Sequence, residues 1–471
     1  MTKAQLNTSV LKARPVRRGC LSVDFGTAAS KIAYEPGADR FEPLAIGDEG
    51  DPFWVRSAIA IDKGKMVFGG RARLGGSPVL TSFKSRLWGD PARLDAEALT
   101  DGDISFSYRD CVQAYLAFLT QLGARRLREK KVSPYTPRRY AMPFAYDEAH
   151  RAIRRELGEM IKRAVVLADT FEDELLAGIE VARMREALDA LRTVSAPEWL
   201  LAEPPCVGEP VAAGAFAMDS EIGKQTVYMI ADVGAGTTDF CILCLKKRAD
   251  GDLEPIQIRN GALSISVAGD AVDEALVEFL VQEAGEQHRK RLMTNAREIK
   301  ERLFAVGADD DEEFYHDLPA GDLVRVNRRE FLASLHWRKI ARQLRSAQAN
   351  CFDGADRKYL QDFGGGAIRI VLTGGGSALP LTKVLAGGRS GGQVRVKRTK
   401  VEDFPVGIRQ RFSAITGVLP RLAVALGGSR DTLPADFDRS AARTSTGVVA
   451  PYVPWAFDKT KTGLEDERDS P

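Results

Sequence analysis

Several things this 471-residue chain lacks or uses sparingly narrow its function before anything present is read. There are only six cysteines, Cys20, Cys111, Cys206, Cys241, Cys244 and Cys351. That is too few for a disulfide framework at this length, so a reducing compartment, the cytoplasm, is expected. Cys241 and Cys244 form a C-x-x-C, but it lies inside a strand pattern and reads as two core thiols. No run of about 18 apolar residues occurs, so no membrane-spanning helix is expected. The four histidines (His150, His288, His316 and His336) show no metal-ligand spacing and read as solvated. The net charge is only +2, which argues against specific nucleic-acid binding or a membrane surface. The basic runs 125–131 and 395–400 read as solvated faces. G-x-x-x-x-G-K-[ST], H-E-x-x-H and G-x-S-x-G are all absent, which removes the P-loop, zinc-protease and serine-hydrolase solutions.

What is present is an ordinary globular composition, 44% hydrophobic and 28% charged, in a chain long enough for two lobes with separate cores. Strand and helix patterns alternate, the mark of an α/β architecture. Residues 1–18 hold five basic residues and no acid, and read as a disordered leader. Residues 19–210 make a first lobe and 211–430 a second. The polar stretch 431–471, with Tyr452, Trp455 and Phe457 clustered near its middle, reads as a flexible tail. A helix is predicted over 110–131, a buried strand in "RRYAMPF", two helices over 147–192 with a break near Asp169–Thr170, and one helix over 328–350.

Two stretches say nearly the same thing. "VDFGTAASKIA" (23–33) and "ADVGAGTTDFCIL" (231–243) each run from a buried strand through Asp-apolar-Gly and small or hydroxylated residues into a second strand. Such a tight hairpin lets backbone N–H groups converge on a phosphate, with Gly26, Gly234 and Gly236 clearing the approach. Thr27, Thr237 and Thr238 add hydroxyls, and Asp24 and Asp232 suit the waters around Mg²⁺. Two such hairpins across a cleft would grip the phosphate tail of ATP from both sides. A third element, "IVLTGGGSALPLTKVL" (370–385), is a strand, a triple glycine and then a helix opening near Ser377 and Pro380. Its turn allows close approach to a sugar or base.

In this order the three elements resemble the actin-like ATPase superfamily, and within it the ATPase domain of the seventy-kilodalton heat-shock chaperones. "VDFGT" resembles that family's first phosphate motif, "DVGAGTTD" its second and "LTGGGSALP" its adenosine motif. "GEPVAAGAFA" and "PRLAVALGG" resemble its two connecting helices, and "SVAGDAVDEAL", "REIKERL" and "VNRREF" three further segments. The resemblance covers roughly 19–430. It implies two lobes, duplicated ribonuclease-H-like domains, around a nucleotide cleft. It further implies ATP or ADP with Mg²⁺ held through Asp24 and Asp232. Gly26, Thr27, Ala28, Gly234, Ala235, Gly236 and Thr237 would line the phosphates. Glu209 would activate water, with Lys84, Asp232 and Thr237 completing the catalytic set. Gly269, Lys300, Gly374, Gly375, Gly376 and Ser377 would meet the nucleoside.

Departures bear on this assignment. Ala28 stands where the family has a second Thr, Ala235 replaces a glycine, and Glu301 and Ala378 stand where arginines flank the adenine. Glu203 is a rival to Glu209. The chain ends without the family's apolar-acidic linker and peptide-binding domain, so a nucleotide-driven switch acting on a protein partner is expected rather than a peptide-holding cycle. The segment near 150–195 reads as a helical insertion that could signal to that partner and be deleted without loss of ATP binding. Two other classes share the motifs: a filament-forming cytoskeletal or segregation ATPase, and a sugar or metabolite kinase. A non-hydrolysing nucleotide sensor is the remaining possibility.

Overall fold

The computed structural model describes residues 5–436, apart from 17, 38–39, 48–49, 75–77, 88–90, 144–147, 219–225, 248–252, 306–308, 310, 356–359, 361–367, 388–397, 401–403 and 432. The aromatic cluster at 452–457 lies outside the described residues, as does the rest of the tail beyond 436. Residues 1–437 form one compact unit.

The first lobe is built on β1 (Cys20–Asp24), β2 (Ala29–Glu35), β3 (Glu42–Pro43), β4 (Trp54–Arg56), β5 (Arg138–Met142) and β6 (Leu201–Gly208). Strand order is β6-β5-β1-β2-β3, with β4 also on β2. β1 runs parallel to β5 and antiparallel to β2. Every residue of β1 and of β5 is buried, as expected of strands covered on both faces. Three helices follow in this lobe: α1 (Tyr108–Glu129), α2 (Glu148–Phe171) and α3 (Val181–Leu191). A capping box starts α1: Asp110 N–H donates to Ser107 Oγ (3.2 Å) and Ser107 N–H to Asp110 Oδ2 (3.1 Å).

After β6 the chain enters α4 (Glu209–Ala217), then the second lobe: β7 (Thr226–Val233), β8 (Thr238–Lys247), β9 (Leu253–Ile265), α5 (Gly269–Ala284), α6 (Arg289–Leu303), α7 (Leu335–Gly354), β10 (Ile368–Thr373) and β11 (Arg398–Lys400). It closes with α8 (Leu419–Ser429) and a short edge strand, β12 (Ala435–Asp436). Strand order is β11-β10-β7-β8-β9-β12. Five strands therefore repeat the first sheet in order and in sense: a three-strand meander with two parallel strands beside its first member. The duplication suggested by the hairpins extends to whole sheets, an actin-like ATPase fold.

The connecting helices are exchanged. α4 packs on β7 and β8 of the second lobe, α8 on β1 and β2 of the first, and the two helices pack on each other. Their crossing is close: a Cβ on Gly427 would overlap the carbonyl of Ala212. Arg139 of β5 fastens the end of α8, donating from Nη1 to the carbonyls of Gly428 (2.9 Å) and Arg430 (2.8 Å), while Nε and Nη2 hold Pro204 and Glu203.

Several expectations change. Part of the leader is docked: Val10 is fully buried, and Asn7 donates from its backbone N–H to Thr170 Oγ1 (3.0 Å) and from Nδ2 to the Asp169 carbonyl (3.1 Å). The segment near 150–195 is no appendage. Ile153, Leu157, Ile161, Val165, Leu167, Met184 and Leu188 all lie in the first lobe's core, so its deletion would open that core. The expected break near Asp169–Thr170 falls just after Phe171. The helix expected over 328–350 is interrupted at Ser334, which caps α7 by accepting from Trp337 N–H (3.2 Å). The triple glycine leads into one 3₁₀ turn (Gly375–Ala378), and helix resumes only at Thr382. His288 is buried rather than solvated.

Candidate active site

Both Asp-Gly hairpins form as read. The β1–β2 register sets Asp24 opposite Lys31. Gly26 is required there, because a Cβ would overlap the carbonyl of Ala29 across the turn. Ser57 holds the turn from behind: its Oγ donates to the Gly26 carbonyl (2.6 Å) and its N–H to that of Ala28 (2.9 Å). In the second hairpin Gly234 N–H donates to the Thr237 carbonyl (2.9 Å), and the register sets Asp232 opposite Asp239. The turns face one another, a Cβ built on Gly236 lying 3.2 Å from Thr27 Oγ1.

The remaining motif residues gather around the second hairpin. Gly269 N–H donates to the Gly234 carbonyl (3.1 Å) and Asp270 N–H to that of Ala235 (2.7 Å), which docks the start of α5 on the turn. Lys300 reaches back from α6 to the Gly269 carbonyl (2.9 Å) and is ion-paired with Asp273 (2.8 Å). Gly374 has φ +80°, and a Cβ there would overlap the Val233 carbonyl, so the glycine turn lies directly against the hairpin's base. Gly376 also abuts Val233, Gly375 faces open space, and Ser377 turns its hydroxyl back to the Gly374 carbonyl (2.8 Å).

Between the hairpins lies a buried cluster of charge. Lys84, on the one-turn helix Lys84–Leu87, is ion-paired with Glu209, the first residue of α4; the two are 3% and 7% exposed. Glu203, the rival, is exposed on β6. Burial opposes the charge on Lys84, but Glu209 and then Asp24 outweigh it and raise its pKa. Burial pushes Glu209 up to about 8 against the pull of Lys84, with Asp239, Asp24 and Asp232 adding to the rise. Asp232 is pushed up to about 7, chiefly by burial. A hydrogen bond from Thr373 Oγ1 (2.8 Å) opposes that rise, and Asp239 and Asp24 reinforce it.

Glu209, Asp232 and Asp239 can place carboxylate oxygens within 4.8 Å of one another. Three carboxylates and no nitrogen or sulfur donor is a set for a hard divalent cation. Burial, reinforced by the neighbouring carboxylates, raises two of their pKa values, and such a cation would offset both effects. Asp24 lies near enough to perturb the group, yet its own Oδ2 accepts from Lys31 Nζ (2.9 Å). Asp239 and Lys31 were not singled out from the sequence. Both were within reach of it, since a tight hairpin turn sets the residues flanking it opposite one another. Thr237, read as a phosphate and catalytic residue, donates its hydroxyl to Asp239 Oδ2 (2.7 Å).

No family model matches the chain. Curated relatives do. A Heat shock 70 kDa protein of Neurospora crassa is 26% identical over 145 residues, 31% of this chain and 20% of the relative. The Chaperone protein DnaK of Elusimicrobium minutum is 24% identical over 204 residues, 43% of this chain and 28% of the relative. A Chaperone protein HscA homolog of Acidithiobacillus ferrooxidans is 27% identical over 242 residues, 50% and 34%. The chain resembles the seventy-kilodalton heat-shock chaperones. It spans a fifth to a third of the length of these chaperone relatives. Among the described residues no helix is long and apolar enough to cross a membrane.

Proposed function

We propose that the chain binds ATP with Mg²⁺ between the two hairpins, hydrolyses it slowly, and uses the bound state as a conformational signal to a protein partner. The observation that carries this is the pair of opposed turns, Gly236 against Thr27, with Lys84, Glu209, Asp232 and Asp239 buried between them. The resemblance to the chaperone relatives supports ATP as the nucleotide.

Asp232 and Asp239, with Glu209 beside them, would hold the Mg²⁺, which when bound neutralises phosphate charge. Backbone N–H groups of Gly26, Thr27, Ala28, Ala235 and Gly236 would receive the phosphate oxygens, with Gly234 clearing the approach and the Thr27 and Thr237 hydroxyls beside them. Lys84, kept cationic by its carboxylate neighbours, would stabilise charge on the transferring phosphoryl group. Glu209, at the start of α4, would orient the attacking water, so that hydrolysis rests on positioning and charge stabilisation. Gly269, Lys300, Gly374, Gly375, Gly376 and Ser377 would border the nucleoside. Because α4 begins with Glu209 and crosses α8, phosphate occupancy at one end of α4 is linked mechanically to the angle between the lobes.

The test is single-turnover hydrolysis of γ-labelled ATP by the full chain, beside Glu209→Gln and Lys84→Met, with ATP affinity measured in parallel. Slow hydrolysis by the parent, lost in both variants while binding persists, supports the reading. Binding without hydrolysis in the parent would leave a nucleotide sensor, and no binding would overturn the proposal.

A further inference from the structure

A single side chain of α1 stands behind both first-lobe contributions to the cleft, the Gly26 turn and Lys84. Tyr115, near the middle of that helix, is fully buried. Its ring packs against Phe25 (centroids 5.8 Å apart) and, edge-on, against Phe83 (5.1 Å), and those two rings also meet (5.8 Å). Phe25 separates Asp24 from Gly26, and Phe83 precedes Lys84, whose ammonium lies 5.8 Å from the centre of the Phe25 ring. The Tyr115 hydroxyl donates to the carbonyl of Arg56 (3.0 Å) at the end of β4, and lies 3.3 Å from Ser30 Oγ and 3.4 Å from Ser57 Oγ. Those two serine hydroxyls are 3.0 Å apart. Burial raises the pKa of the phenol, so it keeps the proton that it donates. Ser57 in turn holds the carbonyl of Gly26 (2.6 Å). In a trans peptide the C=O and N–H point in opposite directions, so fixing that carbonyl aims the N–H of Thr27 away from Ser57.

We infer that Tyr115 is a positioning residue for phosphoryl transfer. Its hydroxyl, through Arg56 and Ser57, fixes the N–H groups of the first turn, and its ring, packed on Phe25 and Phe83, keeps that turn in register with Lys84. It acts through these residues rather than on the nucleotide. The inference rests on the ATP-hydrolysis reading above and adds to it the part played by α1. Most of the proposed nucleotide contacts lie on the second hairpin and the glycine turn. The effect of Tyr115 therefore falls on the rate at saturating ATP more than on affinity.

The experiment measures single-turnover hydrolysis at saturating ATP, and ATP affinity, for the full chain and for Tyr115→Phe, Ser57→Ala, their double variant and Tyr115→Leu. Tyr115→Phe removes only the hydroxyl and should slow turnover by about 3- to 10-fold, the worth of one hydrogen bond, with affinity changed by less than about threefold. Because the two hydroxyls act on one turn, Tyr115→Phe/Ser57→Ala should be no slower than Ser57→Ala alone. Tyr115→Leu also removes the ring and should be slower by about a further tenfold. Tyr135→Phe is the control: it removes a hydroxyl bonded to Asp169 (2.9 Å) in the same lobe, just before β5 and at the end of the sheet opposite the turn, and should leave the rate unchanged. An unchanged rate in Tyr115→Phe, additive losses in the double variant, Tyr115→Leu no slower than Tyr115→Phe, or an equal slowing in Tyr135→Phe overturns the inference while leaving ATP hydrolysis intact. A parent that fails to bind and hydrolyse ATP overturns the underlying reading, and the inference with it. Should Tyr115→Leu fail to fold, Phe83→Leu opens the same ring contact from the Lys84 side and carries the same expectation.

Discussion

Lys84 and Glu209 set the terms at the scale of single residues. Removing one partner of a buried ion pair typically costs about 3–5 kcal/mol, because the other is left uncompensated. Glu209, already pushed up to about 8, can take a proton and soften that loss. Lys84→Met should therefore fall near the low end of that range and Lys84→Met/Glu209→Gln should lose less than Lys84→Met alone, as urea denaturation would show. The same carboxylates dictate how stability responds to pH. Glu209 and Asp232 carry folded-state pKa values of about 8 and about 7, above their ordinary ones near 4.5 and 3.8. Between those limits the folded state binds more protons than the unfolded chain. Their contribution is thus complete at low pH and is lost as pH rises through 7 and 8. In chelator the melting temperature should fall between pH 5 and 8, and Mg²⁺ should flatten that slope. Replacing Asp239 by Asn should shrink it, and an unchanged slope in that variant would show that the cluster does not titrate as described.

At the scale of elements, the sequence carried the strands and turns better than the helices. Both hairpins, the strand "RRYAM" and α4 follow from local patterns, because an Asp-x-Gly turn and a run of apolar residues specify themselves. What local pattern could not supply is partnership. Nothing between 150 and 195 announces that its apolar stripe faces α1, so a core wall read as an insertion. The turn that carries Val10 likewise docks on α2. In the site, Asp24, Thr27, Glu209 and Lys84 were legible as motif residues, whereas Asp239 and Lys31 emerge only when the strand register is counted. Two outcomes follow. A chain lacking 150–195 should be insoluble, because the first lobe loses one side of its core; a soluble deletion that still binds ATP would contradict the packing. Gly427→Ala should destabilise by about 1–3 kcal/mol, since its Cβ would meet the Ala212 carbonyl at the crossing of α4 and α8.

For the molecule as a whole, the exchanged helices matter most. Each sheet is covered by the helix that follows the other lobe's strands, so the lobes cannot part without breaking the crossing. One apolar cluster joins Ala33, Phe41 and Ala141 of the first lobe to Tyr228, Ile230, Leu243 and Val371 of the second through α4 and α8. The crossing is thus an apolar, close-packed joint, and the cleft beside it is lined by charge. A ligand touching both hairpins would bind the closed arrangement better than the open one, and that difference in affinity is what drives closure. Bound ATP should therefore reduce the radius of gyration seen by X-ray scattering. It should also raise stability by about 2.7 kcal/mol at a hundredfold excess over Kd. Glu209→Gln should separate these effects, retaining closure without turnover. Light scattering on the same samples tests for a filament: contraction without growth in mass is what the switch reading expects, whereas ATP-dependent growth in mass would make self-assembly the output.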